Sequence, residues 1–306
     1  MTGFVEIPTL EQYCSYCGQR CLHPDIGIIT SGGLPDGQAF KGNFYAICFR
    51  RTWCGDKRYG CGCYDFTSAT VVFKSPGEII EPAPVGQLPE VPAAGILFTP
   101  GLLAHSSFCD KRDEYTFFGY HENESLHLSW RELQTIAGNV ATIMAELFRT
   151  SDSYTSELLC KHLSVLLDHC LRSYRRQFIL RGDLQERVVA KSRVLAEEYF
   201  MSEHAGKSER QAAEYIRGKF PFSPLYLNDL FCSETGMTLP EYIRTLRVEL
   251  IKREVCHSNK PFVKIASEMG FSSLQALEYT FQKLTGYSLG AYRRASICVN
   301  LVMFNI

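Results

Sequence analysis

Long apolar runs are missing from these 306 residues. No stretch approaches the ~18 uncharged apolar residues that a membrane-spanning helix needs. The N-terminus, read from Met1 to Cys14, has no basic stretch followed by an apolar one, so no secretory leader is legible. The tail from Ser296 to Ile306 is apolar but too short to span a bilayer. A strong charge of either sign is also lacking. Thirty-two Lys and Arg oppose 33 Asp and Glu, a net of -1, which excludes a globally basic, histone-like protein. Histidine is sparse, with 8 in all, none between His23 and His105, and no His-x-His pair anywhere. These absences point to a cytoplasmic protein with room for about two domains, whose 13 cysteines are reduced thiols.

Among those cysteines, Cys14-x2-Cys17-x3-Cys21-x-His23 has a spacing compatible with zinc, and Cys54, Cys61 and Cys63 form a second cluster. A structural zinc or a thiol sensor is the sharper reading. The plainer one is that free cysteine is a common small buried residue. No metal ligand and no cofactor is assigned.

From about Phe40 to Tyr120 the chain is aromatic and β-branched, cut by Gly and Pro at short intervals. Gly42–Phe49, Ala69–Phe73, Gly95–Phe98 and Tyr115–Phe118 read as short strands, which implies an antiparallel sandwich or barrel. Trp130–Phe148 and Glu157–Tyr174 then read as helices. The second carries Leu158, Leu159, Leu163, Leu166, Leu167, Cys170, Leu171 and Tyr174 at 3–4 spacing. Such a stripe can pack on the sheet and on a second copy of itself. Residues 181–190 read as a joint.

What the C-terminal part does have is an echo of itself. Phe231-x4-Gly236-x5-Tyr242-x-Arg244 returns fifty residues later as Phe281-x4-Gly286-x5-Tyr292-Arg293. Each copy follows a Phe-Ser pair, Phe222-Ser223 and Phe271-Ser272. Ser223-Pro224 reads as an N-cap and a first-turn proline, and Thr238-x-x-Glu241 as a capping box opening a helix to about Cys256. Pro261 starts the next helix, and Ser272-x-x-Gln275 reads as a second capping box. Gly236, Gly270 and Gly286 read as helix stops needing positive φ. Two helix-turn-helix units at the ends of one helix of roughly eighteen residues, about 27 Å, would sit close to one DNA turn apart. Residues 207–295 hold 13 Lys and Arg against 9 Asp and Glu, a net of +4 that fits DNA binding.

On these residues the stretch 207–295 resembles the DNA-binding domain of AraC/XylS-type transcription regulators. Leu239–Leu250 matches that family's linker helix. Ile265-Ala-Ser-Glu-Met-Gly-Phe-Ser-Ser273, with Thr280–Lys283 and Tyr292-Arg293, matches its second motif. The resemblance implies Leu225, Asn228 and Asp229 as exposed residues of a first recognition helix. It implies Leu274, Gln275, Glu278 and Tyr279 for the second. Asn and Gln can pair with adenine edges, and Leu or Tyr can touch a thymine methyl. Arg244, Arg247, Lys264, Lys283 and Arg293 are the candidates for phosphate contacts. Glu209–Phe222 is longer than the family pattern, so its helix is expected to be extended or distorted.

Tyr64-Asp-Phe66, Val72-Phe73-x-x-Pro76-Gly77 and Leu97-Phe98-x-Pro100 resemble the cupin-like sensor barrel of many such regulators. The implied fold is α+β and multidomain. A cupin-like antiparallel β-barrel sensor would cover 1–126, helical linker and dimerisation helices 127–182, and an all-α tandem helix-turn-helix domain 190–296. The implied partners are a double-stranded promoter site, an unnamed small-molecule effector, a second copy of the chain as a homodimer, and RNA polymerase. A metal-dependent cupin uses a His-x-His pair, which this chain lacks. An enzyme fused to a degenerate helical module is therefore the least favoured reading, behind a metal- or thiol-responsive sensor with the same DNA output.

Overall fold

Alternation along the strands and punctuation between the helices account for most of the computed structural model. It describes residues 4–29, 38–51, 66–81, 90–104, 113–202 and 208–295. Cys54, Cys61, Cys63, Tyr64 and the tail beyond Ala295 lie outside the described residues. The chain divides into two compact bodies. One comprises Met1–Leu180 with the short segment Phe222–Tyr226, the other Arg181–Pro221 with Leu227–Ile306.

The first body begins β1 (Phe4–Glu6), α1 (Leu10–Tyr16), β2 (Ile26–Ile29), β3 (Ala39–Lys41), β4 (Tyr45–Arg50), β5 (Ala69–Lys74), β6 (Ile79–Ile80) and β7 (Gly95–Phe98). It continues with α2 (Pro100–Ala104), β8 (Leu126–Leu128), α3 (Trp130–Leu147) and α4 (Thr155–Leu180). Five strands form an antiparallel sheet in the order β2-β7-β4-β5-β8. A smaller sheet runs β1-β3-β6, and there β1 pairs parallel to β3. That pairing departs from the all-antiparallel expectation, because two three-residue strands carry too little pattern to betray their direction.

All six residues of β4 are buried, so the larger sheet is covered on both faces. Successive side chains point to opposite sides. Ala46 and Cys48, with Val72 and Leu97, join Leu10, Tyr13 and Phe40 in one apolar cluster. On the other face Tyr45 stacks on Phe98 at 5.2 Å and Phe73 meets Tyr174 of α4 at 6.0 Å. Tyr115–Phe118 is not a strand: Thr116–Gly119 forms a 3-10 turn. The reason is packing. Phe117 lies 4.3 Å from Phe73 and Phe118 lies 5.3 Å from the same ring, so consecutive aromatics serve one core, which a strand would send apart.

Ser129 and Glu132 close a capping box at the start of α3. The leucine stripe of α4 is buried within the chain at Leu159, Leu163, Leu166, Leu167, Cys170 and Tyr174, while Leu158 and Val165 are exposed. Among its described residues the second body has only helices as regular elements: α5 (Gly182–Met201), α6 (Glu209–Arg217), α7 (Pro224–Thr235), α8 (Leu239–His257), α9 (Phe262–Glu268) and α10 (Leu274–Thr285). Residues 181–190, expected to be a joint, follow directly on the division between the two bodies at Leu180 and form the start of the continuous helix α5. No helix among the described residues is long and apolar enough to cross a membrane.

Candidate nucleic-acid interface

The repeat seen in the sequence is a repeat in space. Phe231 packs on Tyr242 with ring centroids 5.3 Å apart, and Phe281 packs on Tyr292 at the same 5.3 Å. Gly236 and Gly286 stop α7 and α10 at φ +72° and +77°, where L side chains are strained. Just before each glycine stands a threonine that pattern reading passed over. Thr235 Oγ1 donates to Phe231 O at 2.8 Å and Thr285 Oγ1 to Phe281 O at 2.7 Å. Each hydroxyl also accepts a backbone N–H two residues on, from Met237 and Tyr287, at 3.2 Å. The missed signal was Phe-x3-Thr-Gly, present twice.

Between the repeats, α8 spans 19 residues and opens on the expected box, with Thr238 accepting from Glu241 N and Glu241 from Thr238 N. The second unit departs slightly from expectation. Its N-cap is Ser273, which accepts from Ala276 N at 3.1 Å, rather than Ser272. Gln275 is thereby left out of the cap and exposed. In the first unit, α6 carries a normal Ser208–Gln211 capping box and ends at Arg217. Residues 218–223 lie between it and α7, and the expected extension or distortion of the helix is not seen.

Second-helix candidates lie on the surface of α10. Tyr279 is 70% exposed, Gln275 and Glu278 are exposed, and Leu274 is half-buried. Lys283 is exposed with its ammonium 6.0 Å from the Tyr279 ring, and Lys264 on α9 is exposed too. The first-helix candidates are more committed. Asn228 Oδ1 accepts from Leu239 N at 3.2 Å, fixing the turn into α8. Leu225 is exposed at 43%, but its Cδ1 would lie 2.5 Å from a Cβ placed on Gly119. Asp229 is half-buried.

Two of the phosphate candidates spend donors inside the fold. Arg247 is buried, with Nε and Nη2 donating to Met269 O, Nη1 3.5 Å from Glu209, and the guanidinium 4.0 Å over the Phe271 ring. Burial lowers its pKa, and Glu209 opposes that shift. Arg293 donates to Val255 O at 2.9 Å and Lys260 O at 3.0 Å, tying the end of α8 to the approach to α9. Both brace backbone carbonyls of the helical framework. Arg244 remains exposed beside Glu209 at 3.2 Å, a pair that water and salt weaken.

Among the described residues Cys14, Cys48, Cys160 and Cys170 are buried, and Cys17, Cys21, Cys232 and Cys256 are half-buried. Burial pushes Cys14 up to about 12, with Cys21 and Cys17 adding to it, and burial raises Cys17 and Cys48 as well. His23 is occupied elsewhere: Nδ1 accepts from Asp25 N at 3.1 Å and Nε2 meets Ser156 Oγ at 2.9 Å. Among the described residues no group of three or more His, Cys, Asp or Glu is placed to hold a metal.

A helix-turn-helix domain family matches residues 201–295, which hold both copies of the repeat. The C-terminal part of this chain is an AraC-type helix-turn-helix domain. Multiple antibiotic resistance protein MarA of Escherichia coli is 30% identical over 84 residues, 28% of this chain and 66% of that protein. The chain thus spans just under two thirds of the length of that curated relative. Among solved structures, the DNA-binding domain of AdpA, a global transcriptional factor in complex with a target DNA, is 25% identical. It covers 36% of this chain and 90% of its own, at a TM-score of 0.28. ToxT of Vibrio cholerae covers 86% of this chain and 91% of its own, at 11% identity and a TM-score of 0.27. Scores of that size fix no residue correspondence.

Proposed function

We propose that the chain is a cytoplasmic, sequence-specific DNA-binding transcription regulator that reads a promoter site through its AraC-type domain. The observation that carries this reading is the doubled Phe–Thr–Gly–Tyr unit at the two ends of the 19-residue α8, together with the exposed residues of α10. Gln275 and Tyr279 supply the base-reading chemistry, an amide for an adenine edge and a ring for a thymine methyl. Glu278 can accept from cytosine, which makes that position selective against bases without a donor. Lys264, Lys283 and Arg244 supply the phosphate contacts.

Control by a small-molecule effector in the N-terminal body, a homodimer and contact with RNA polymerase complete the proposal. Effector control requires unequal binding to two arrangements of the chain. An open depression of about 290 Å³ on that body is lined by Glu6, Pro8, Lys41, Gly42, Asn43, Pro76 and Gly77. No enzymatic step is part of the reading.

The test is a selection of genomic DNA fragments by the purified chain at physiological salt, read by sequencing. Enrichment of one motif made of two short boxes about a helical turn apart supports the reading. Uniform recovery of unrelated fragments sinks it.

A further inference from the structure

Within the N-terminal body the start of α3 faces the last turns of α4, and between them lies a depression of about 130 Å³. Arg131, Glu132, Thr135 and Ile136 line it from α3, and His169, Arg172 and Ser173 line it from α4. The spacing explains the gathering. Residues three and four apart share one face of a helix, so Arg131 sits with Thr135, and His169 sits with Arg172 and Ser173. Ile136 and Ser173 are buried, His169 is half-buried, and both arginines are exposed. The depression therefore has a floor of one methyl-rich and one hydroxyl side chain beneath a basic rim.

The acid in the depression is already engaged. Glu132 Oε1 accepts from Arg176 Nε at 3.0 Å. Its Oε2 accepts from Arg176 Nη2 at 3.0 Å, and from the backbone N and Oγ of Ser129 at 2.8 and 2.7 Å. A two-pronged guanidinium pair of this kind neutralises the carboxylate and fixes its direction. Arg131 and Arg172 have no such counterpart, since neither forms an ion pair among the described residues. Helix stability does not account for Arg131 either, because a cation in the first turn of α3 opposes the helix dipole. Thr135 donates its hydroxyl to Arg131 O at 3.1 Å, so the donors left to a ligand are two guanidinium forks, the His169 ring and the Ser173 hydroxyl.

Those donors select among anions. A carboxylate brings one charge and two oxygens, which a single arginine can satisfy. A phosphate monoester brings a charge of about -1.5 to -2 and three terminal oxygens, enough to occupy both forks and remove their mutual repulsion.

We propose that the depression between α3 and α4 binds a phosphate group, as the free ion or on a small phosphate monoester, with Arg131 and Arg172 gripping it from the two helices. As the seat of the effector invoked above it rests on that reading. The test needs no DNA, so the site and the DNA-binding reading fail separately.

Isothermal titration calorimetry on the full-length chain, at constant ionic strength, takes inorganic phosphate, glycerol 3-phosphate and succinate in turn. The variants are Arg131→Ala, Arg172→Ala and Arg172→Lys, with Arg149→Ala as a control at the far end of α3, where Arg149 is 74% exposed beside Glu146. The mutated side chains are exposed and outside any ion pair, so the variants fold. Saturable binding of one phosphate or phosphate ester per chain is expected, weakened about tenfold by either alanine, partly restored by the lysine and unchanged in the control. Tighter binding of glycerol 3-phosphate than of phosphate identifies an ester as the ligand, and equal binding identifies the free ion. Heat that does not saturate, binding indifferent to both alanines, or succinate bound as tightly as the phosphates overturns the proposal.

Discussion

His23 shows how a single side chain can set a pH limit. Its Nδ1 accepts from Asp25 N, so the proton sits on Nε2, facing Ser156 Oγ. Burial lowers its pKa from the ordinary 6.5, with Asp25 pulling the other way. The unfolded chain therefore takes up this proton first as the pH falls. Stability present above about pH 6.5 is lost on acidification, because the native state must either bury a cation or give up the Asp25 bond. Scanning calorimetry should show a melting temperature that drops from about pH 7 to pH 5.5. The drop should be visibly shallower in His23→Gln, and identical slopes would exonerate the histidine. Arg247 and Arg293 teach the complementary lesson. As sequence, they are basic residues in a DNA-binding domain; in the structure their donors close gaps in the helical framework on Met269, Val255 and Lys260. A charge pattern cannot tell a guanidinium that faces solvent from one that faces a carbonyl.

At the scale of elements, the two stops offer an internal control. Gly236 and Gly286 both adopt positive φ, and at both a Cβ would meet nothing within 4 Å. Substitution by alanine thus costs backbone strain alone, about 1–2 kcal/mol, and by nearly the same amount at either site. Urea unfolding of Gly236→Ala and Gly286→Ala should give matching losses; a gap of twofold or more would mean that the two units are not equivalent. Helices were the legible part of this chain, because capping residues and glycine stops announce them locally. Ser223, Thr238 and Pro261 start helices where the pattern placed them, and Ser273 displaced Ser272 by a single residue. Contacts distant along the chain were not legible. Nothing near Phe117 and Phe118 says that both rings share one core, and nothing near Glu124 says that Ser223, 99 residues on, will meet it. The α10 surface was readable from the repeat, whereas the commitments of Asn228 and Leu225 depend on partners outside their own turn.

For the molecule as a whole, binding energy and binding specificity should come apart under mutation. Loss of Gln275 to alanine should cost about 1–3 kcal/mol at the selected site and relax preference at one base pair. Lys283→Ala should weaken all sequences alike and reduce the slope of log affinity against log salt by about one. Arg293→Ala should leave that slope nearly intact and lower the melting temperature instead. Fluorescence anisotropy across a salt series separates the three, and a salt slope indifferent to Lys283 would remove α10 from the groove. The helix α8 adds a constraint of another kind. Nineteen residues at 1.5 Å each make a rod of about 28 Å, capped at both ends and clamped at its far end by Arg293. Such a rod is a ruler. On the proposed reading, the spacing and rotational phase of the two DNA boxes are measured inside one polypeptide. A drift of half a turn in a promoter could then be corrected only by changing the ruler, never by sliding one subunit along another.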